Sequence, residues 1–317
     1  VQVPSRYIEL SHLMKGITVS MTATTEKTWQ HYMVLPPLIA LIALLLWKNA
    51  ALVDGVRAGL SLSAHAVIPA LFPFSLLSPY LLSAMSPTGN RHLRLPNATV
   101  PFLVGLLCGF PLGAKAACDG VKLGLWSRRD AERMLCFCNN TGLAFLVAGV
   151  GGAMRGHVRD GVLLFCVQAL TALITGTVLS AMHHSEKRHE PVSPPPTPFP
   201  RFTEAMHGAV NASLTVTAYI AFFSGLLAVI RTFCPERLFP VISAFFEVGT
   251  ACHTLAALPG GLPLTAFAVI FSGLSVQLQT ASFASEENIR VFPAMICKAV
   301  GGVAGTALTA LFLYFTT

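Results

Sequence analysis

Charge is what this sequence has least of. Only 11% of its 317 residues are Asp, Glu, Lys or Arg, against roughly 25% in soluble domains. With 54% hydrophobic residues and a mean hydropathy of +0.65, that scarcity excludes an ordinary soluble α/β enzyme. It points to a polytopic membrane protein, a class in which length is a poor guide to domain number. Enzyme signatures are missing too: there is no H-E-x-x-H and no G-x-S-x-G. Gly109 to Gly113-Ala114-Lys115 has the wrong spacing for a phosphate-binding loop, and Ala116 stands where Ser or Thr would be needed. Gly149-Val150-Gly151-Gly152 lies in helical membrane context rather than after a strand, so it is no dinucleotide fingerprint. The chain is therefore expected not to be an enzyme and to use no cofactor. No C-x-x-C pair occurs among the eight cysteines, all of which lie in or beside apolar segments. Neither a metal site nor a disulfide framework is indicated. Cys136 and Cys138 point to different sides of a helix and read as small packing residues.

Basic residues outnumber acidic ones, 21 to 14, for a net charge of +7. They fall mostly between apolar runs, at 91–94, 122–133, 155–159 and 187–201. That is where charges flanking membrane spans belong, so the expected partner is the lipid bilayer and not nucleic acid.

Four sections follow in order: a polar N-terminal segment at 1–33, a first membrane half at 34–182, a Pro-rich polar linker at 183–202 and a second half at 203–317. The N-terminal segment lacks the layout of a signal peptide. Residues 34–47 are apolar but short of the ~20 residues a span needs. Asp54 to Ala66 reads as an amphipathic interfacial helix with Val56, Leu60, Ala64 and Val67 on one face. A proline-bent span follows to Ser83. Residues 101–109 and 114–125 are each too short to cross a ~30 Å hydrocarbon core. The expectation is a re-entrant hairpin turning at Gly109–Gly113, with one broken helix as the alternative. Ser127 is the expected N-cap of the next helix, with Asp130 at the third position. That helix meets Asn139-Asn140-Thr141-Gly142 and resumes; a long span covers 161–182.

After the linker, whose histidines and prolines read as solvated chain, the order recurs. An interfacial stretch covers 202–214, a span 215–230 and a hairpin is interrupted at Phe246-Glu247-Val248-Gly249. A span with a polar second half and a final span complete it. Ser275, Gln277 and Gln279 are spaced by two and cannot share one face of a regular helix, so unwinding near Ser272–Ser275 is expected. Two halves with breaks at matching positions are the sequence pointer to a transporter with its site between repeats.

The breaks supply the candidate site. Gly109, Pro111, Gly113, Gly142 and Gly249 expose backbone. Lys115 sits in the first turn after the first break, where a helix N-terminus and a cation together suit an anion; pairing with Asp119 at i+4 is the competing expectation. Asn139, Asn140 and Thr141, with Ser275 and Gln277 of the second half, offer neutral polar contacts. Glu247 needs a partner or a function at that depth.

Gly109-Phe110-Pro111-Leu112-Gly113-Ala114-Lys115, followed by Asp130-Ala131-Glu132-Arg133 and Cys138-Asn139-Asn140-Thr141-Gly142, resembles the YlbJ family of sporulation integral membrane proteins. That family belongs among the nucleoside-recognition, or gate-domain, proteins. Phe245-Phe246-Glu247-Val248-Gly249 and Ser272-Gly273-Leu274-Ser275-Val276-Gln277 resemble its second-half motifs. The likeness covers residues 34–317; Phe110 and Thr141-Gly142 depart from the Tyr and Ser-Pro common in the family. It implies an all-α polytopic fold akin to concentrative nucleoside transporters, in a bacterial cytoplasmic membrane, or the mother-cell-derived forespore membrane in a sporulating organism. It also implies transport of a small polar, anionic solute such as dipicolinate. A nucleoside as solute, or a non-transporting assembly or signalling role in sporulation, are the alternatives, and a homo-oligomer is a further expectation.

Overall fold

The computed structural model describes residues 35–84, 98–183 and 200–316. The polar N-terminal segment, the 85–97 loop and most of the Pro-rich linker lie outside the described residues. All regular structure in the described residues is helical. The chain divides into two compact units, Val1–Leu52 and Val53–Thr317. In the first, α1 (Leu35–Trp47) is an apolar helix. Everything that concerns the candidate site lies in the second.

That unit contains most of α2 (Asn49–Leu62), a π-helical turn (Ser63–Val67) and α3 (Ile68–Ala84). Next come α4 (Thr99–Leu107), α5 (Leu112–Lys122), α6 (Arg128–Cys138), a π-helical segment (Phe145–Met154) and α7 (Val158–His183). The second half of the chain adds α8 (Phe202–Arg231), α9 (Phe239–Phe246), α10 (Val248–Ala256), α11 (Leu262–Phe271), α12 (Gly273–Glu286) and α13 (Phe292–Thr316). Among the described residues four stretches are long and apolar enough to cross a bilayer: Val158–Met182, Phe202–Arg231, Leu262–Glu286 through the break at Ser272, and Phe292–Thr316. A fifth arises if Leu35–Trp47 and Asn49–His65 count as one. Large apolar side chains face outward, such as Leu173, Ile174 and Val178 on α7 and Val300, Val303 and Phe312 on α13. Inward, α13 presents a seam of Ala294, Lys298, Gly302, Gly305 and Thr309. This inside-out distribution is the one expected where lipid is the solvent and small residues let helices approach.

Three expectations are corrected. The 54–66 stretch, read as an interfacial amphipathic helix, packs on protein through Gly55 and Gly59, which lie against Ala221, Ser224, Gly225 and Ala228 of α8. Leu60 is exposed. In lipid the bulky apolar face needs no burial, and close helix approach selects the glycine face. Residues 202–214 and 215–230 form one continuous 30-residue helix and not an interfacial helix plus a span, because nothing between Leu214 and Thr215 breaks the backbone. Finally, α12 runs on to Glu286, although residues 285–288 read from the sequence as a loop.

The two short pairs form as hairpins. α4 packs on α5 and α9 on α10, with 9, 11, 8 and 9 residues respectively. The first turn is Cys108–Pro111, where Gly109 has φ +94°, a left-handed conformation that favours glycine. Gly113 lies inside α5, not in the turn. Its role is contact: a Cβ there would stand 2.0 Å from the Cys138 carbonyl oxygen, and one on Gly105 of α4 would stand 1.6 Å from it. α4, α5 and the end of α6 thus converge on one carbonyl. Ser127 caps α6 as expected, accepting from the Asp130 backbone N–H while Asp130 accepts from the Ser127 backbone N–H.

Gly113→Ala would force backbone apart at this junction. Overpacking of this kind costs about 1–3 kcal/mol or more, so a lowered melting temperature in detergent is expected. Gly208→Ala, where an added Cβ meets nothing within 4 Å, serves as the unaffected control. Equal melting of the two variants would contradict the junction.

Candidate functional site

The breaks meet in pairs. Gly142 of the Asn139–Gly142 break lies on Gly109 and Cys108 of the first hairpin turn. In the second half, a Cβ on Gly273 would stand 2.9 Å from Phe246 and 3.0 Å from the Glu247 nitrogen. The break in the α11–α12 span therefore rests on the turn of the α9–α10 hairpin. Cross-half packing is reciprocal: α6 on α13 and α11 on α7, α5 on α12 and α10 on the π-helical segment.

Each break leaves backbone groups without helical partners, and named side chains supply them. Gln168 of α7 accepts from the Thr141 N–H at 3.0 Å and donates to the Thr141 carbonyl at 2.8 Å. The Thr141 hydroxyl donates across the halves to the Val269 carbonyl at 2.6 Å. Ser272, with φ 69°, donates its hydroxyl to the same carbonyl at 3.0 Å. Gln277 turns back to donate to the Phe271 carbonyl at 2.8 Å. Glu247, 2% exposed, spends both carboxylate oxygens on α10, accepting from Gly249 N–H at 2.8 Å and Thr250 N–H at 2.6 Å. A carboxylate at a helix N-terminus is favoured by the dipole, which gives the buried charge its compensation. In this structure Thr141, Glu247, Gly249 and Gln277 hold the breaks together.

Lys115 ion-pairs with Asp119 one turn on. Its charge is thereby taken up within α5, the competing expectation. The cation at the breaks is another residue. Lys298, on the inner seam of α13 and 4% exposed, donates to Asn140 Oδ1 at 2.9 Å. Among the described residues no carboxylate lies within ion-pair distance of its Nζ. Asn140 itself donates to the Phe137 carbonyl at 2.7 Å. Next to it, Asn139 donates to Thr280 Oγ1 of α12 at 2.8 Å. Asn139 Oδ1 and Gln279 Oε1 are buried and have no hydrogen-bond partner; the Gln279 amide nitrogen donates to Ser275 Oγ at 3.2 Å.

Ser275, Gln277 and Gln279 do not share a face, yet all three are buried. The break at Ser272–Gly273 precedes them and the helix is regular through them. They are buried because the span is enclosed on most sides, with 72% of its apolar window buried. Sequence reading missed Lys298, Gln168 and Gln279. Lys298 and Gln168 are each a single polar side chain within an apolar run, and that isolation was the available signal; Gln279 lies in the polar stretch 275–280, of which Ser275 and Gln277 alone were taken into the site. Among the described residues no cluster of three or more His, Cys, Asp or Glu could hold a metal ion.

Chemically, the junction offers a buried amine with one of its three donor positions assigned and two unpaired amide oxygens, beside backbone closed by side-chain hydrogen bonds. This is the inventory for holding a small polar solute.

Comparison with known proteins gives 25% identity over 305 residues to the sporulation integral membrane protein YlbJ of Bacillus subtilis (strain 168), covering 79% of this chain and 74% of that protein. The similarity supports a relationship to the YlbJ family, as the motifs did. No family model matches the chain, and no solved structure does. With its apolar helices, the chain is an integral membrane protein whose described residues fold as helices.

Glu247→Gln should loosen the second hairpin. One carboxylate oxygen becomes an NH2 group facing a backbone N–H, leaving a buried donor unpaired at about 1–3 kcal/mol. Faster amide exchange across Val248–Ala256 is expected, with Lys115→Gln, whose ion pair lies within α5, changing exchange there little. Unaltered protection in the Glu247 variant would show that the cap does not hold this helix.

Proposed function

We propose that the chain is a secondary transporter of a small polar, anionic solute, and that Lys298 with the Asn139–Gly142 break forms its binding centre. The observation that carries this is Lys298: a buried lysine whose one hydrogen bond is to a neutral amide on a broken helix. Charged side chains at membrane depth cost roughly 2.5–3.5 kcal/mol on insertion scales and mark functional pathways. A carboxylate on the solute would compensate Lys298 as no side chain among the described residues does. Paired breaks and reciprocal cross-half packing support a two-repeat architecture with the site at the junction, as in transporters with broken helices. The relative's name places that protein in sporulation. With the family resemblance, it supports dipicolinate as the solute to test first and the membrane of a sporulating cell as the location.

The unpaired oxygens of Asn139 and Gln279 also suit the donors of a neutral nucleoside. A non-transporting assembly role is favoured by Thr141, Gln168, Glu247 and Gln277, whose polar groups are spent inside the chain.

Uptake into proteoliposomes separates these. Lys298→Met keeps the volume of the stem and removes the charge. It should lower dicarboxylate uptake about tenfold or more, equivalent to ~1.4 kcal/mol, while the protein elutes as the wild type does. Nucleoside uptake spared by the same substitution would favour the nucleoside. Wild-type protein that moves neither solute above protein-free vesicles would sink the transport reading.

A further inference from the structure

The Lys298 centre lies beneath a second feature. On the first turns of α6, Arg129, Glu132, Arg133 and Cys136 follow at intervals of three, one and three residues, so they share one helix face. With Arg290 before α13 and Cys297 on it, they line an open cleft of about 390 Å³. Three arginines against one glutamate leave the cleft with a net charge of +2. Five of the six residues 128–133 are charged, so this end of α6 is outside the apolar layer.

Glu132 does not oppose an incoming anion strongly, because it is already engaged. Arg290 donates to it from Nε at 2.9 Å, from Nη2 at 2.8 Å and from its backbone N–H at 3.2 Å. Hydrogen bonding from that guanidinium holds the Glu132 carboxyl below the usual carboxylate range. The pair fixes Arg290 at the rim. Arg129 is exposed, and Arg133 contacts Asp130 at 3.7 Å. The floor is Cys136 of α6 and Cys297 of α13, two helices that pack on one another. Lys298 is the next residue after Cys297, and it is buried. The arginine-lined cleft and the buried lysine thus meet at adjacent residues of α13.

We propose that this cleft is the mouth of the anion path: a binding site for the carboxylates of a small organic dianion, which Arg129 and Arg290 engage before it passes Cys136 and Cys297 to Lys298. The inference rests on the anionic-solute reading above. Arginine forks recognise carboxylate or phosphate oxygens in fixed planar geometry, and a cleft lined by one sign of charge concentrates the opposite sign. The volume is in the range of small-molecule sites, ~300–1,000 Å³.

Thiol labelling tests the cleft without requiring transport. Cys297 is half-buried at the floor. In the full chain in neutral-lipid vesicles, an anionic methanethiosulfonate should modify it faster than a cationic one of similar size, read by peptide mass. Arg129→Gln, which leaves the Glu132–Arg290 pair intact, should shrink that ratio about fivefold, as loss of focused charge predicts. The Arg129→Gln/Arg290→Gln double variant should shrink it further. Dipicolinate should protect Cys297 in the wild type and less so in Arg129→Gln. Equal rates for the two reagents, or an unchanged ratio in both variants, overturn the proposal. So does protection by phosphatidylglycerol in the vesicle with none by dipicolinate, which would assign the arginines to a lipid headgroup. Charge-selective labelling and dipicolinate protection alongside absent uptake keep the cleft as an anion site and remove the transport reading instead.

Discussion

The constraint on which this structure depends is that a broken helix in hydrocarbon must have its freed backbone groups satisfied by something other than water. At the junction the described helices break at Cys108–Pro111, Asn139–Gly142, Glu247 and Ser272. Breaks that solvent would close at no great cost elsewhere need dedicated partners here. Gln168, Thr141, Gln277 and Glu247 are those partners, and their positions follow from it. Each reaches a backbone group within or across the junction. The glycines serve the same end. Gly109 against Gly142 and Gly273 against Phe246–Glu247 let two breaks share one enclosure instead of each needing its own.

This division of labour decides which polar residues are free for other work. A side chain that closes the backbone cannot exchange its bonds for a ligand's without opening the fold, which costs the full penalty of a buried unpaired group. Thr141, Glu247 and Gln277 are therefore scaffold first. Lys298, Asn139 and Gln279 are different, since Lys298 bonds a side-chain oxygen and the two amides each keep an oxygen unpaired. Gaining a ligand contact there removes no backbone bond. The contrast between Lys115 and Lys298 follows the same logic. Lys115 has Asp119 one turn away on its own helix, so its charge is balanced whatever the rest of the molecule does. The balance of Lys298 depends on what reaches it from another element.

What the sequence made legible was where the backbone departs from helix. Gly and Pro at 109–111, Asn-Asn-Thr-Gly at 139–142 and Ser-Gly at 272–273 are local chemistry, and local chemistry dictates local conformation. The Ser127–Asp130 cap was legible for the same reason. Less legible was which surface of a helix faces inward. Hydrophobic periodicity assigns an inner face only when water is outside; in lipid, Gly55 and Gly59 turn inward and Leu60 outward. Long-range partnerships were not legible at all. Asn140 and Lys298 are 158 residues apart, and nothing in the spacing of either names the other.

Lys298 also explains why the first-half motifs were the more prominent ones. The Asn139–Gly142 break carries several unusual residues in a row, so it is conspicuous, whereas α13 contributes one lysine to an otherwise ordinary apolar helix. The inner seam of that helix is built of Ala294, Gly302, Gly305 and Thr309, small residues that let α13 lie close to its neighbours. Close approach places the long side chain of Lys298 where its Nζ reaches Asn140. A larger residue at Gly302 or Gly305 would collide with Phe267 or Ile270 of α11 and lift the helix away. The small residues of α13 therefore act on the candidate site through position: they set the distance at which one cation meets one broken helix.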